Sequence, residues 1–242
     1  MTSYATIQCA VDEHGCARLV LNRPRKLNAF DDLMLHELDA CVHELNDDPA
    51  VKLVVVSGAG GNFCSGRDTS ELSEIGARDS SRLLPASGGH ESSMFRALEM
   101  PTVAVLDGAV VGGGLGFALQ CDLRIGTTRV RIIDGHLANG MVPSVAAWYL
   151  SRLTTTGRAL RIFARREPTS AAEAQAAGLL DEVVEPDELE TAVDRILAPF
   201  LAADGRLLRH TKALLTAAQN EPYDPTMRQV GLLRAIERLD HV

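Results

Sequence analysis

Two glycine-rich segments of this chain carry residue types suited to holding a developing negative charge. The first, Phe63-Cys64-Ser65-Gly66-Arg67-Asp68, follows a run of buried-strand character, Leu53–Val56. Small residues at such a turn let backbone approach a ligand closely, and consecutive N–H groups there form an anion-binding concavity. The second runs Val110-Val111-Gly112-Gly113-Gly114-Leu115-Gly116-Phe117-Ala118-Leu119-Gln120-Cys121-Asp122 and opens a helix with three glycines. Unblocked N–H groups then stand at the positive end of the helix. No Gly-Lys-Ser/Thr follows, so this is no P-loop, and Phe117 occupies the place where a dinucleotide fingerprint needs its last glycine. Taken alone, the first reads better as an ordinary strand-to-loop connection, and a structural turn is a fair rival for the second. Two of them, each after a buried strand, read as an oxyanion hole, in which backbone donors meet charge that appears only during reaction.

Such donors need a rigid frame, and the rest of the sequence supplies one. Thr6–Val11 and Cys16–Leu21 read as two strands joined at Glu13-His14-Gly15. Asp31 or Asp32 caps a helix with Leu35, Leu38, Val42 and Leu45 at helical spacing, ended by Asp47-Asp48-Pro49. Leu53–Val56 then has the continuous β-branched character of a buried parallel strand, and strand, helix, strand in that order implies a crossover. Residues Thr69–Gly89 are polar and patternless and read as a long functional loop, followed by a helix near Glu91–Glu99. Thr102–Leu106, Leu123–Gly126 and Arg131–Ile133 read as strands and Leu115–Gln120 as a helix. After Pro143 helices dominate, over Ser144–Arg152, Gly157–Ala164, Ser170–Ala177, Asp187–Phe200, Arg206–Ala218 and Pro225–Leu239, with only Glu182–Val184 extended.

Composition narrows the class. A chain of 242 residues with 46% hydrophobic and 23% charged residues is ordinary globular protein, large enough to bury a core without staples. A net charge of −8 and a pI near 5.4 argue against nucleic acid as a partner. Five scattered cysteines without a C-x-x-C pair suit free thiols rather than a disulfide framework or a metal site. No apolar run is long enough to span a bilayer, and Met1–Ala5 has no signal-peptide character, so a cytoplasmic protein is expected.

Taken together, the two glycine-rich segments resemble those of the crotonase superfamily, the enoyl-CoA hydratase/isomerase family. Supporting segments occur in family order: Leu21-Asn22-Arg23-Pro24 with Asn28-Ala29-Phe30, Met100–Ala104, Gly140-Met141-Val142-Pro143, Ala172-Glu173-Ala174 with Gly178-Leu179, and Thr211–Leu214. The resemblance implies an α/β crotonase fold, a ββα spiral core over residues 1–185 with a helical oligomerisation region over 186–242. It implies a thioester of coenzyme A or of an acyl carrier protein as substrate, no separate cofactor and no metal, and a homotrimer or dimer of trimers. Carried over residue by residue, the oxyanion donors are the N–H groups of Arg67 and Gly113. Ser65, Gly66, Asp68, Gly112 and Gly116 fall on the substrate-binding segments around them. His90 falls in a region that lines the acyl pocket of relatives, although a helix-start histidine exposed to solvent is the better reading. Arg25 and Lys26, with Arg23 and more weakly Lys212, are candidates to meet coenzyme A phosphates.

The sequence departs from the family's hydratases where they place two catalytic glutamates. Gly116 stands at the first position and His136 at the second. Ordinary hydration is therefore not expected, and His136 is the candidate proton-transfer residue. A nearby Asp134 would share a strand face with it if the intervening Gly135 left the strand unbroken. The Arg67 side chain is a candidate fork for a substrate carboxylate or a partner of Asp68. Val145 stands where the family's dehalogenases place a nucleophilic aspartate, which excludes that reaction. Expected chemistry is that of a lyase or isomerase, decarboxylation or double-bond migration through an enolate. Carbon–carbon bond hydrolysis and a catalytically inactive, thioester-binding accessory subunit are the alternatives.

Overall fold

The computed structural model describes residues 3–68, 70, 93–143 and 145–239. Strands β1 (Ile7–Val11) and β2 (Cys16–Leu21) form an antiparallel hairpin, Ile7 opposite Leu21, whose tight turn uses Gly15 at φ 86°. Helix α1 (Asp32–Asp47) starts where Asp31 accepts the Met34 N–H at 2.8 Å. It buries Met34, Leu38, Cys41, Val42 and Leu45, and carries the chain back to β3 (Leu53–Gly58), which pairs parallel to β2. Leu35, expected on the buried face, is only half-buried; Met34 and Cys41 share the inward stripe instead.

Strand β4 (Thr102–Leu106) joins β3, β6 (Leu123–Thr127) joins β4, and β9 (Glu182–Val184) closes the far edge. The resulting sheet has the order β1-β2-β3-β4-β6-β9. A second sheet of three short strands, β5 (Ala109–Val111), β7 (Arg131–Ile133) and β8 (Thr169–Ser170), lies in the order β5-β7-β8. Leu53, Val54, Val55 and Val56 are all buried because both faces of the main sheet are covered. Leu19, Val54, Val56 and Ala104 face one cluster with α1 and α2 (Gly113–Gln120). Cys16, Leu53, Val55, Val103 and Ile125 face the other, against Val193 and Leu197 of α6 (Leu189–Ala202).

Helices α3 (Val145–Leu153), α4 (Thr156–Ala164) and α5 (Ala171–Ala176) come before α6. Helices α7 (Gly205–Ala218) and α8 (Tyr223–Leu239) end the chain. The expected boundary between residues 185 and 186 falls between β9 and α6, and α6 covers the second face of the sheet.

Three expectations need correction. Thr169–Ser170 is extended as well as Glu182–Val184, because Thr169 pairs with Ile132; Ser170 then caps α5 through a capping box with Glu173. The described part of the helix expected over Glu91–Glu99 is a single 3-10 turn, Phe95–Ala97, whose Phe95 N–H is taken by the Gln120 side chain at 3.0 Å. The second glycine-rich helix begins two residues early, at Gly113 itself. The expected loop Thr69–Gly89 lies, apart from Ser70, outside the described residues. Among the described residues no helix is long and apolar enough to cross a membrane. The five cysteines carry free thiols, four of them buried.

Candidate active site

The segment Phe63–Asp68 is stitched between two neighbours. On one side Cys64 N–H donates to Ala109 O at 3.0 Å and Val111 N–H to Cys64 O at 2.9 Å, a parallel bridge to β5. On the other side Phe30 N–H donates to Gly66 O at 2.9 Å and Asp68 N–H to Phe30 O at 2.8 Å. The Gly66 carbonyl faces Phe30, so across the trans peptide the Arg67 N–H points away from Phe30. Beyond the bridge of Cys64 to Val110 the two segments stay close, Gly66 lying against Val111 and Gly113.

Gly113 opens α2, so its N–H belongs to the first-turn donors that have no acceptor within the helix. Gly112 before it has φ 51° and donates its own N–H to Ile133 O at 2.9 Å, which ties the turn to β7. Glycine is required on both sides of the contact. Gly66 has φ 89°, and a Cβ there would lie 2.9 Å from Val111 O and 3.4 Å from Gly113 N. A Cβ on Gly113 would lie 2.6 Å from two ring carbons of Phe30. Gly116 differs, since a Cβ there meets only Val145, at an ordinary 3.5 Å.

These groups wall a cavity of about 110 Å³ lined by Phe30, Arg67, Gly112, Gly113, Gly116, His136, Val145 and Ala146. The structure thus brings together Arg67, Gly112, Gly113, Gly116 and His136 from the sequence candidates. It adds Phe30, Val145 and Ala146 as apolar walls. No glutamate lines the cavity among the described residues. His136 is half-buried, and its Nδ1 lies 2.9 and 3.1 Å from the two carboxylate oxygens of Asp134, whose side chain is fully buried. The pair does not arise from a shared strand face, as β7 ends at Ile133. It arises from a turn in which the His136 N–H donates to Asp134 Oδ1 at 3.0 Å. Hydrogen bonding to the Asp134 carboxylate raises the His136 imidazole above its ordinary pKa, against the opposing effect of burial.

Other candidates fall elsewhere. The Arg67 guanidinium pairs with Asp32 and lies 5.8 Å from the Phe30 ring centre, so its partner is not Asp68. Asp68 is absent from the cavity lining; its buried carboxylate takes Arg23 at 3.0 Å, Lys26 at 3.6 Å and the Ser70 hydroxyl at 2.6 Å. The Ser70 hydroxyl above all, with the Arg23 and Lys26 cations, holds the Asp68 pKa down to about 2. Ser65 hydroxyl donates to Lys26 O at 3.1 Å, outside the lining as well. Arg25 and Lys26 stand exposed on a 3-10 turn, Pro24–Lys26. That turn is pinned by buried Asn28, whose amide donates to Ala59 O and Asn62 O at 2.8 and 2.7 Å. Lys212 serves the frame, donating to Met100 O at 2.9 Å and pairing with Asp122 at 2.8 Å. His90 lies outside the described residues. Cys64, behind the first turn, is inert, since burial pushes its thiol up to about 12.

Comparison with known proteins identifies the family. Residues 12–231 match the family model described as enoyl-CoA hydratase/isomerase. The chain is 30% identical over 217 residues to a crotonyl-CoA hydratase of Syntrophomonas wolfei, covering 89% of this chain and 83% of that protein. It is 28% identical over 211 residues to the ethylmalonyl-CoA decarboxylase of Mus musculus, covering 86% and 66%. A Thermobifida fusca structure in complex with acetoacetyl-CoA superposes with a TM-score of 0.82 at 28% identity, over 98% of this chain and 96% of that one. The chain belongs to the enoyl-CoA hydratase/isomerase family and has the crotonase fold.

Proposed function

We propose that this chain transforms an acyl thioester of coenzyme A or an acyl carrier protein through an enolate, and that its reaction is decarboxylation or double-bond migration rather than hydration of a simple enoyl thioester. One observation carries the reading. Arg67 and Gly113, whose backbone N–H groups are the proposed oxyanion donors, line one cavity with His136, its acid–base residue among the described residues. Hydration needs one group to activate water and another to protonate the α-carbon, and Gly116 contributes neither.

Decarboxylation needs less. The bond between the α-carbon and the substrate carboxylate breaks, its electron pair enters the enolate, and carbon dioxide leaves. The negative charge gathers on the thioester oxygen, where Arg67 and Gly113 N–H groups hold it, and His136 then gives a proton to the α-carbon. Each donor is worth about 10²–10³ in rate. The similarity to a decarboxylase supports this order of events, while the similarity to a crotonyl-CoA hydratase supports the thioester substrate. Exposed Leu137, Met141 and Val142 beside the site suit a surface covered by a second copy of the chain, in a trimer or dimer of trimers.

The test is incubation with a panel of acyl-CoA and malonyl-type thioesters, followed by chromatographic separation of isomers and mass spectrometry. Loss of carbon dioxide from a malonyl-type thioester, or migration of a double bond without mass change, is expected. Addition of water to crotonyl-CoA at the rate of a competent hydratase overturns the proposal.

A further inference from the structure

We infer that Asp134 is a positioning residue that decides which ring nitrogen of His136 faces the cavity, an inference that rests on His136 being the proton donor. The Asp134 side chain is fully buried, and its carboxylate meets His136 Nδ1 at 2.9 and 3.1 Å. A carboxylate only accepts hydrogen bonds, so Nδ1 must carry a proton in both charge states of the ring. Nε2 is left for the cavity. It holds a proton in the imidazolium and a lone pair in the neutral ring, and the ring need not turn between the two. The same strand end that places this pair also places the oxyanion donors. Ile133 accepts the Gly112 N–H at 2.9 Å, and Asp134 follows it directly. Donor turn and proton donor are thereby held in one register by the pairing of β5 with β7.

Among the described residues, Arg67 is the other charged side chain lining the cavity, and α3 presents Val145 and Ala146 there. Helix α4, packed against the Leu137–Asn139 turn, carries Arg158 and Arg161, of which Arg158 reaches Ala176 O. Asp134 is the group whose hydrogen bond and charge act to raise the ring's proton affinity.

A purely structural role for Asp134 would be to close the turn by accepting the His136 N–H at 3.0 Å. Asn in its place keeps the Oδ1 acceptor, which also lies 2.9 Å from Nδ1, but replaces the second oxygen, 3.1 Å away, by an amino group and removes the charge, so the preference for a proton on Nδ1 weakens. The experiment follows the ring nitrogens of ¹⁵N-labelled protein by long-range proton–nitrogen NMR across neutral pH, His136 being assigned by its loss in His136→Gln. In the wild-type protein the neutral ring is expected with its proton on Nδ1. In Asp134→Asn the proton is expected to shift toward Nε2, the titration midpoint to fall, and turnover to be reduced about 10²–10⁴-fold with KM little changed. A wild-type ring protonated on Nε2 overturns the inference without recourse to any variant, as does an Asp134→Asn ring with unchanged tautomer and midpoint. A ring that shifts as expected in a protein of undiminished turnover overturns instead the reading of His136 as proton donor.

Discussion

Substituting Gly113 by Ala tests the oxyanion hole at the one place where a single methyl group must disturb it. The added Cβ would stand 2.6 Å from the Cε1 and Cζ atoms of Phe30. Carbon atoms prefer about 3.5–4.0 Å, so roughly 1 Å of movement is needed. Phe30 cannot yield freely, because it is 2% exposed and its ring centre lies 4.9 Å from that of Phe117, which lies 5.3 Å from Phe95. If the ring stack gives, overpacking costs about 1–3 kcal/mol of stability. If the backbone gives, the Gly113 N–H leaves the 2.7–3.1 Å window that an oxyanion donor requires, at about 10²–10³ in rate. Either outcome is read by urea denaturation together with turnover of the thioester found by the panel. Calorimetric titration with acetoacetyl-CoA adds a binding readout. Gly116→Ala is the control. Its Cβ meets Val145 at 3.5 and 3.6 Å, and alanine is favoured over glycine inside a helix by about 1 kcal/mol. That variant is expected to be at least as stable as the parent. A Gly113→Ala protein of wild-type stability, with turnover within tenfold of the parent, refutes the placement of the donor.

Three further outcomes are expected. His136→Ala and His136→Gln should each lower kcat by about 10²–10⁴. Because Asp134 raises the His136 pKa, the active imidazolium persists above the ordinary value of about 6.5 and the rate falls as pH rises beyond it; a descending limb that survives in both variants contradicts the assignment. Asp68, held at about 2 when folded against about 3.9 when unfolded, contributes stability that is full above about pH 4 and lost as pH falls toward 2. Asp68→Asn should flatten urea midpoints over that window, and an unchanged acid profile speaks against the ion cluster with Arg23 and Lys26. Lys212→Ala should lower stability, through loss of the Met100 and Asp122 contacts, and leave the affinity for acetoacetyl-CoA unaltered; weakened binding of that thioester at undiminished stability would return Lys212 to the phosphate site.

Local chemistry made much of this protein legible before any coordinates. β-Branched runs with buried character, the Asp31 cap and the helical spacing of Leu38, Val42 and Leu45 are short-range signals, and each predicted its element correctly. The two glycine-rich turns were legible as turns from their glycines, but what demands glycine at Gly66 and Gly113 is contact with Val111 and Phe30, far along the chain. The family resemblance extended that reading along most of the chain.

Tertiary structure alone decided what the side chains around those turns do. Asp68 stands next to Arg67 in sequence yet pairs with Arg23, because the strand alternation that turns one residue toward the cavity turns the next one away. Arg67 finds Asp32 instead, a partner on another element. Lys212 is drawn to the carbonyl of Met100 by the packing of α7, which no spacing in the sequence encodes. Phe30 and Val145 enter the cavity from elements distant along the chain, and only their convergence makes them walls. Asp134 and His136 are the intermediate case. Their separation by one residue was visible, but on a strand it would have placed them side by side as neighbours on a face. The chain turns after Ile133 instead, and that turn, held by a backbone N–H on a buried carboxylate, aims one ring nitrogen at Asp134 and leaves the other for the cavity.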